Sequence, residues 1–253
     1  MIAPDTPLAI GSLLFEGVDQ LDLTGPLEVL SRLPNATHRV YAKSAGPVRD
    51  VRGLRLLADA PLADAPPLDV LHVPGGLGQE ALMEDEEVLA WIRRQAAGAR
   101  RVLSVCTGAL LCGAAGLLRG RRATTHWAAF DLLPLFGAIP VNARVVVDGT
   151  FVFAAGVTAG IDGALRLAAD LRGEEAAQVI QLQMAYAPEP PFTAGTPESA
   201  SPDVLAQARS GFAAVTAARR RTAERLAARR GAAQGEAELP ALTCPRIFGP
   251  PQS

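Results

Sequence analysis

Lysine is almost missing from this 253-residue chain: Lys43 is the only one, and arginine supplies the other basic residues. That bias reads as a coding preference and carries no chemistry. Cysteine is scarce too. Cys106, Cys112 and Cys244 are odd in number and lack paired spacing, which excludes a disulfide framework. The cysteines and histidines show no metal-ligand spacing, and no cofactor is expected. Net charge is only −2, so nothing pulls the whole chain toward nucleic acid or a membrane surface. No apolar run approaches the ~20 residues of a membrane span. The opening Met1-Ile2-Ala3-Pro4-Asp5 lacks the basic-then-apolar order of an export signal, so a reducing cytoplasm is the expected setting. No Walker-type phosphate loop is present. Gly76-Leu77-Gly78-Gln79-Glu80-Ala81 has the glycines of a dinucleotide fingerprint, but Arg100, Arg101 and Val102 stand where that fingerprint needs an acid.

What is present is apolar: 49% of residues are hydrophobic, enough for a sizeable core. Buried-strand patterns at Leu8–Phe15, Arg39–Ala42, Asp69–Val73 and Arg101–Val105 alternate with helical ones. Pro26 is expected to open a helix over Leu27–Leu33, and a single helix is expected from about Glu80 to Ala97. Asp148-Gly149 between Arg144–Val147 and Phe151–Ala154 reads as a two-residue hairpin turn. Strands alternating with helices imply an α/β fold with a mostly parallel sheet covered on both faces. Residues 1–187 are expected to form that domain. A proline-rich loop over 188–203, a helix over 204–230 and a flexible tail over 231–253 complete the chain. Arg219, Arg220, Arg221, Arg225, Arg229 and Arg230 make the last helix basic, and read as a solvated face.

Sites in such sheets lie at the carboxyl ends of strands. Cys106 stands there, in Ser104-Val105-Cys106-Thr107-Gly108, between a strand and a helix with small residues around it. That is the layout of a nucleophile elbow with sulfur in place of hydroxyl. The helix N-terminus is expected to favour a thiolate. Asp22, in the loop before the first helix and flanked by Leu21 and Leu23, is a carboxylate that desolvation would help to keep protonated. Gly75 and Gly76 are expected to present backbone N–H groups to a developing negative charge, with the Thr107 amide as the other donor. The Thr107 hydroxyl is placed to hold a water. His126 could orient or protonate a group near the sulfur. Cys112, His38 and His72 read as structural.

Five segments occur in order: Leu21-Asp22-Leu23-Thr24-Gly25-Pro26, Val73-Pro74-Gly75-Gly76, Ser104–Gly108, Ala123-Thr124-Thr125-His126-Trp127 and Ala155–Asp162. Together they resemble the ThiJ/PfpI superfamily of class I glutamine-amidotransferase-like domains, closest to its isonitrile hydratase-like branch. The resemblance implies a flavodoxin-like three-layer sandwich and a homodimer. It assigns Cys106 as nucleophile, Asp22 as its acidic partner and Thr107 beside them. Gly75, Gly76, His126 and Thr158 are the expected oxyanion or substrate-binding residues, and His126 occupies a position near the site in some relatives. Thr107 stands where protease- and glyoxalase-like members carry histidine, which points away from a Cys–His pair. The expected reaction is hydration of an isonitrile to an N-substituted formamide. A cysteine-based oxidative-stress sensor and glyoxalase-like action on small dicarbonyls are the alternatives. The chain after Ala187 is too short for the paired helix-turn-helix units of regulators that share this domain.

Overall fold

A computed structural model describes residues 2–44 and 46–237 of the chain. The chain enters through β1 (Leu8–Leu13) and α1 (Gln20–Leu30), then β2 (Ala36–Ala42), a hairpin of β3 (Pro47–Arg49) and β4 (Arg55–Leu57), and β5 (Ala60–Pro61). β6 (Val70–Val73), α2 (Gln79–Leu82), α3 (Glu86–Gly98), β7 (Arg101–Val105), α4 (Gly108–Ala114) and β8 (Arg122–Ala123) follow. A 3-10 stretch, Trp127–Phe136, leads to β9 (Ile139–Pro140), β10 (Val145–Asp148) and β11 (Phe151–Ala154). The last helices are α5 (Ala159–Arg172), α6 (Glu174–Gln183) and α7 (Pro202–Ala237).

Among the described residues one seven-stranded sheet dominates, in the order β10-β11-β7-β6-β1-β2-β5. Every pairing in it is parallel except β10 with β11, the hairpin expected at Asp148-Gly149. Successive side chains on a strand face opposite ways, and two separate apolar clusters result. Leu71, Val102 and Phe153 join one cluster with the residues of α3 and α4. Their neighbours Val70, Leu103 and Val152 join the other, with α1 and α5. The outcome is the expected three-layer α/β sandwich. β1, β6 and β7 are adjacent and parallel, so the segments following them meet at one edge of the sheet.

Three elements differ from the sequence expectation. The first helix begins at Gln20, because the Asp19 side chain accepts the Leu21 amide at 3.1 Å and caps it; Pro26 therefore lies inside α1. Asp22 is thus in the first helical turn and not in a loop. The helix expected over 80–97 is two helices, because the Asp85 side chain accepts the Val88 amide and starts α3 anew. The C-terminal helix runs over Pro202–Ala237, so residues 231–237 continue it, and 238–253 of the expected tail lie outside the described residues. It packs along the 3-10 stretch and α2.

Candidate active site

Cys106 sits between β7 and α4 with φ +55°, in the left-handed region that L-residues rarely occupy. Several contacts hold it there. Its amide donates to the Ala154 carbonyl at 2.9 Å, and its carbonyl accepts the Thr125 hydroxyl at 2.7 Å. A Cβ on Gly108 would come within 2.1 Å of the Val73 carbonyl oxygen, so only glycine lets the elbow approach β6 this closely. Thr125 was not singled out from the sequence; its position in the Thr124-Thr125-His126 segment was the available signal.

Asp22 is fully buried. Its Oδ2 accepts the Gly75 amide at 3.0 Å, and the carboxyl lies beside the Cys106 thiol, near enough for each to shift the other's titration. Oδ1 is buried without a partner of ordinary geometry, which leaves it to carry a proton. Burial, and then the charge of Asp19, push the Asp22 carboxyl up to about 8, outweighing the Gly75 amide. Asp22 therefore holds its proton at neutral pH, as desolvation led us to expect. The thiol behaves differently from the sequence expectation. Burial first, and then Asp22, raise the Cys106 thiol well above its ordinary value, against the opposing effects of the Thr107 amide and Arg219. The resting pair is a thiol beside a carboxylic acid.

Gly75 and Gly76 also serve differently from what their sequence implies. The Gly75 amide is engaged by Asp22, and the Gly76 amide donates to the Thr107 hydroxyl oxygen at 3.2 Å. Neither is left facing a developing charge; they hold the acid and the threonine in place. Gly76 has φ +143°, and a Cβ there would meet the Gly17 carbonyl oxygen at 2.4 Å, so the turn admits no side chain.

A pocket of about 100 Å³ opens onto the sulfur. Val51, Leu77, Val157 and Phe212 form its apolar walls, and Asp19, Arg52, Gly76, Thr107, His126 and Arg219 also line it. His126 Nδ1 accepts the Ala128 amide at 3.3 Å, which leaves Nε2 as the protonated nitrogen. Burial, then Arg219, lower its pKa to about 4, so it is a neutral donor. Thr158 is elsewhere: it is exposed and accepts from Arg144 at 3.2 Å, while its neighbour Val157 lines the pocket. Cys112 is buried in the core, where burial pushes its thiol up to about 12.

Arg219 is the residue that the sequence reading put on a solvated face. Its neighbours Arg220 and Arg221 are exposed, but Arg219 is 2% exposed and donates from Nη2 to the Gly76 carbonyl at 2.6 Å. Phe212 and Arg219, two helical turns apart, face the pocket together. That seven-residue spacing was the only sequence signal available. Among the described residues no group of three or more His, Cys, Asp or Glu could hold a metal.

Comparison with known proteins adds a further finding. The model of the DJ-1/PfpI family matches residues 10–170. The isonitrile hydratase of Pseudomonas putida is 53% identical over 222 residues, spanning 88% of this chain and 97% of that protein. A ThiJ/PfpI family crystal structure from Pseudomonas syringae superposes with a TM-score of 0.83 at 39% identity, covering 88% of this chain and 91% of that one. A DJ-1 superfamily protein from Salmonella typhimurium gives a TM-score of 0.65 at 25% identity, over 71% of this chain and 99% of that one.

Proposed function

The chain belongs to the DJ-1/PfpI family, and from that premise we propose that it is an isonitrile hydratase, adding water to an isonitrile to give an N-substituted formamide. The observation that carries this reading is the buried Cys106–Asp22 pair beneath an apolar-walled pocket, in a chain that is 53% identical to a hydratase along nearly its whole length. The terminal isonitrile carbon takes both a nucleophile and a proton, and the pair supplies both. Cys106 sulfur adds to the carbon as Asp22 gives that carbon its proton. The thiol proton passes to the Asp22 carboxylate so formed, leaving a covalent thioimidate and a restored carboxylic acid. Water, held by the Thr107 hydroxyl, then adds to the thioimidate carbon. Expulsion of the sulfur yields the formamide and the free thiol. No cofactor enters these steps.

The walls Val51, Leu77, Val157 and Phe212 suit a small apolar substituent on the isonitrile nitrogen. Mixing the protein with a primary alkyl isonitrile is expected to release the formamide, observable by NMR. Cys106→Ala is expected to release none; formamide from that variant would eliminate the covalent route. Mass spectrometry after mild peroxide tests the sensor alternative: selective oxidation of Cys106 without turnover would favour it. The partner we propose is a second copy of the chain, for which sedimentation velocity is the direct measurement. Free thiols at Cys106 and Cys112 suit the cytoplasm as the setting.

A further inference from the structure

Arg219 is buried in the pocket with its Nε donor unused. Nη2 is bonded to the Gly76 carbonyl, but Nε is buried without a partner. A guanidinium has donors only, so what this position lacks is an acceptor. The glycine amides beside the sulfur are already occupied, Gly75 by Asp22 and Gly76 by Thr107. An isonitrile brings no oxygen, whereas the water that attacks the thioimidate does. The acceptor for Arg219 therefore arrives only in the second half of the reaction.

We propose that Arg219 is a catalytic residue of thioimidate hydrolysis: it bonds the oxygen delivered by water, and its positive charge favours departure of the Cys106 sulfur. This rests on the hydratase reading above. Water forms a C–O bond at the thioimidate carbon, and one of its protons reaches the nitrogen through Asp22. The C–S bond then breaks with its electron pair going to sulfur. Asp22 gives its proton to that sulfur and takes the hydroxyl proton in its place, and the C=O bond forms. Nothing is oxidised or reduced. His126 also donates into the pocket region, but it is neutral and gives no comparable help to a departing thiolate.

The two half-reactions separate in an intact-mass experiment with a primary alkyl isonitrile. Arg219→Gln should form the Cys106 adduct, heavier by one isonitrile, at a rate within about threefold of wild type. Formamide release from it should fall about 100-fold, the scale of losing one oxyanion donor, so the adduct accumulates. Arg219→Lys, which keeps the charge, should recover at least about tenfold of that loss. Equal slowing of adduct formation and release in both variants would make Arg219 a support for the Gly76 turn and overturn the proposal, as would unchanged release. If wild-type protein gives neither adduct nor formamide, the hydratase reading itself falls, and this inference falls with it.

Discussion

Cys106 at φ +55° occupies backbone space that disfavours any Cβ by roughly 1–2 kcal/mol. Cys106→Gly and Cys106→Ala both remove the sulfur, but only glycine relieves that strain. Glycine is therefore expected to be the more stable replacement by about 1 kcal/mol, the reverse of its usual rank; urea denaturation of the two variants compares them, and an alanine variant as stable as the glycine one would contradict a strained elbow. Asp22 makes a second expectation. With its carboxyl at about 8, the acid form is lost as pH rises through 8, so kcat/KM should fall above that pH toward tenfold per unit. A profile flat to pH 9 would remove Asp22 as the proton donor. Cys106 was legible in the sequence, because strand, small residue, cysteine and helix follow one another locally; Asp22 stood out from Asp19 and Glu16 only through the family resemblance. Arg219 was not legible. It is one of three consecutive arginines, and which of them turns inward is decided by the face that α7 lays on the 3-10 stretch, a tertiary fact that no local pattern encodes.

The elements themselves were read well where a turn residue marks them. Gly149-Thr150 joins β10 to β11, one position past the expected turn because Asp148 still pairs with Phe151, and Gly149 stands at φ +59°, as the first residue of a type II′ hairpin requires. They were misread where two signals competed. Pro26 is common as a first helical residue, but Asp19 caps α1 seven positions earlier and the helix absorbs the proline. Likewise Asp85 restarts the chain at α3, where hydrophobic periodicity alone suggested continuity. The Asp85 cap has a measurable value. Asp85→Ala is expected to cost about 1 kcal/mol and lower Tm by about 2–4 °C. Its exposed pairing with Lys43 contributes little to that loss. An Asp85→Asn variant, which keeps the cap without the charge, should lie close to wild type. Equal losses in both would shift the effect from the cap to the ion pair.

For the molecule as a whole, the titration of stability follows from four groups that the fold shifts, Asp22 and His72 fully buried and His38 and His126 partly so. All three histidines are depressed by burial: His38 and His126 to about 4, His72 to about 3. His38 and His72 flank the Ser12 hydroxyl at 2.7 and 2.8 Å as a buried neutral chain. Between pH 4 and 6.5 the unfolded chain binds these protons and the folded one does not, so stability rises with pH across that window. Asp22 acts in the opposite sense. Raised to about 8, it holds a proton in the fold that the unfolded chain has released, so stability declines from about pH 6.5 to 8 once the histidines are spent. The thermal midpoint should therefore peak near pH 6.5. Asp22→Asn should flatten the decline above the peak and steepen the acid limb, which Asp22 opposes from about pH 4 upward; an unchanged decline in that variant would assign it to another group. The placement of Phe212 and Arg219 has a last consequence, for how such a protein diversifies. Both belong to α7, which lies beyond residues 10–170 and carries no strand of the sheet. Inheritance can thus alter the pocket wall through one peripheral helix while the elbow descends unchanged, and relatives that share the nucleophile are free to part company in what they accept.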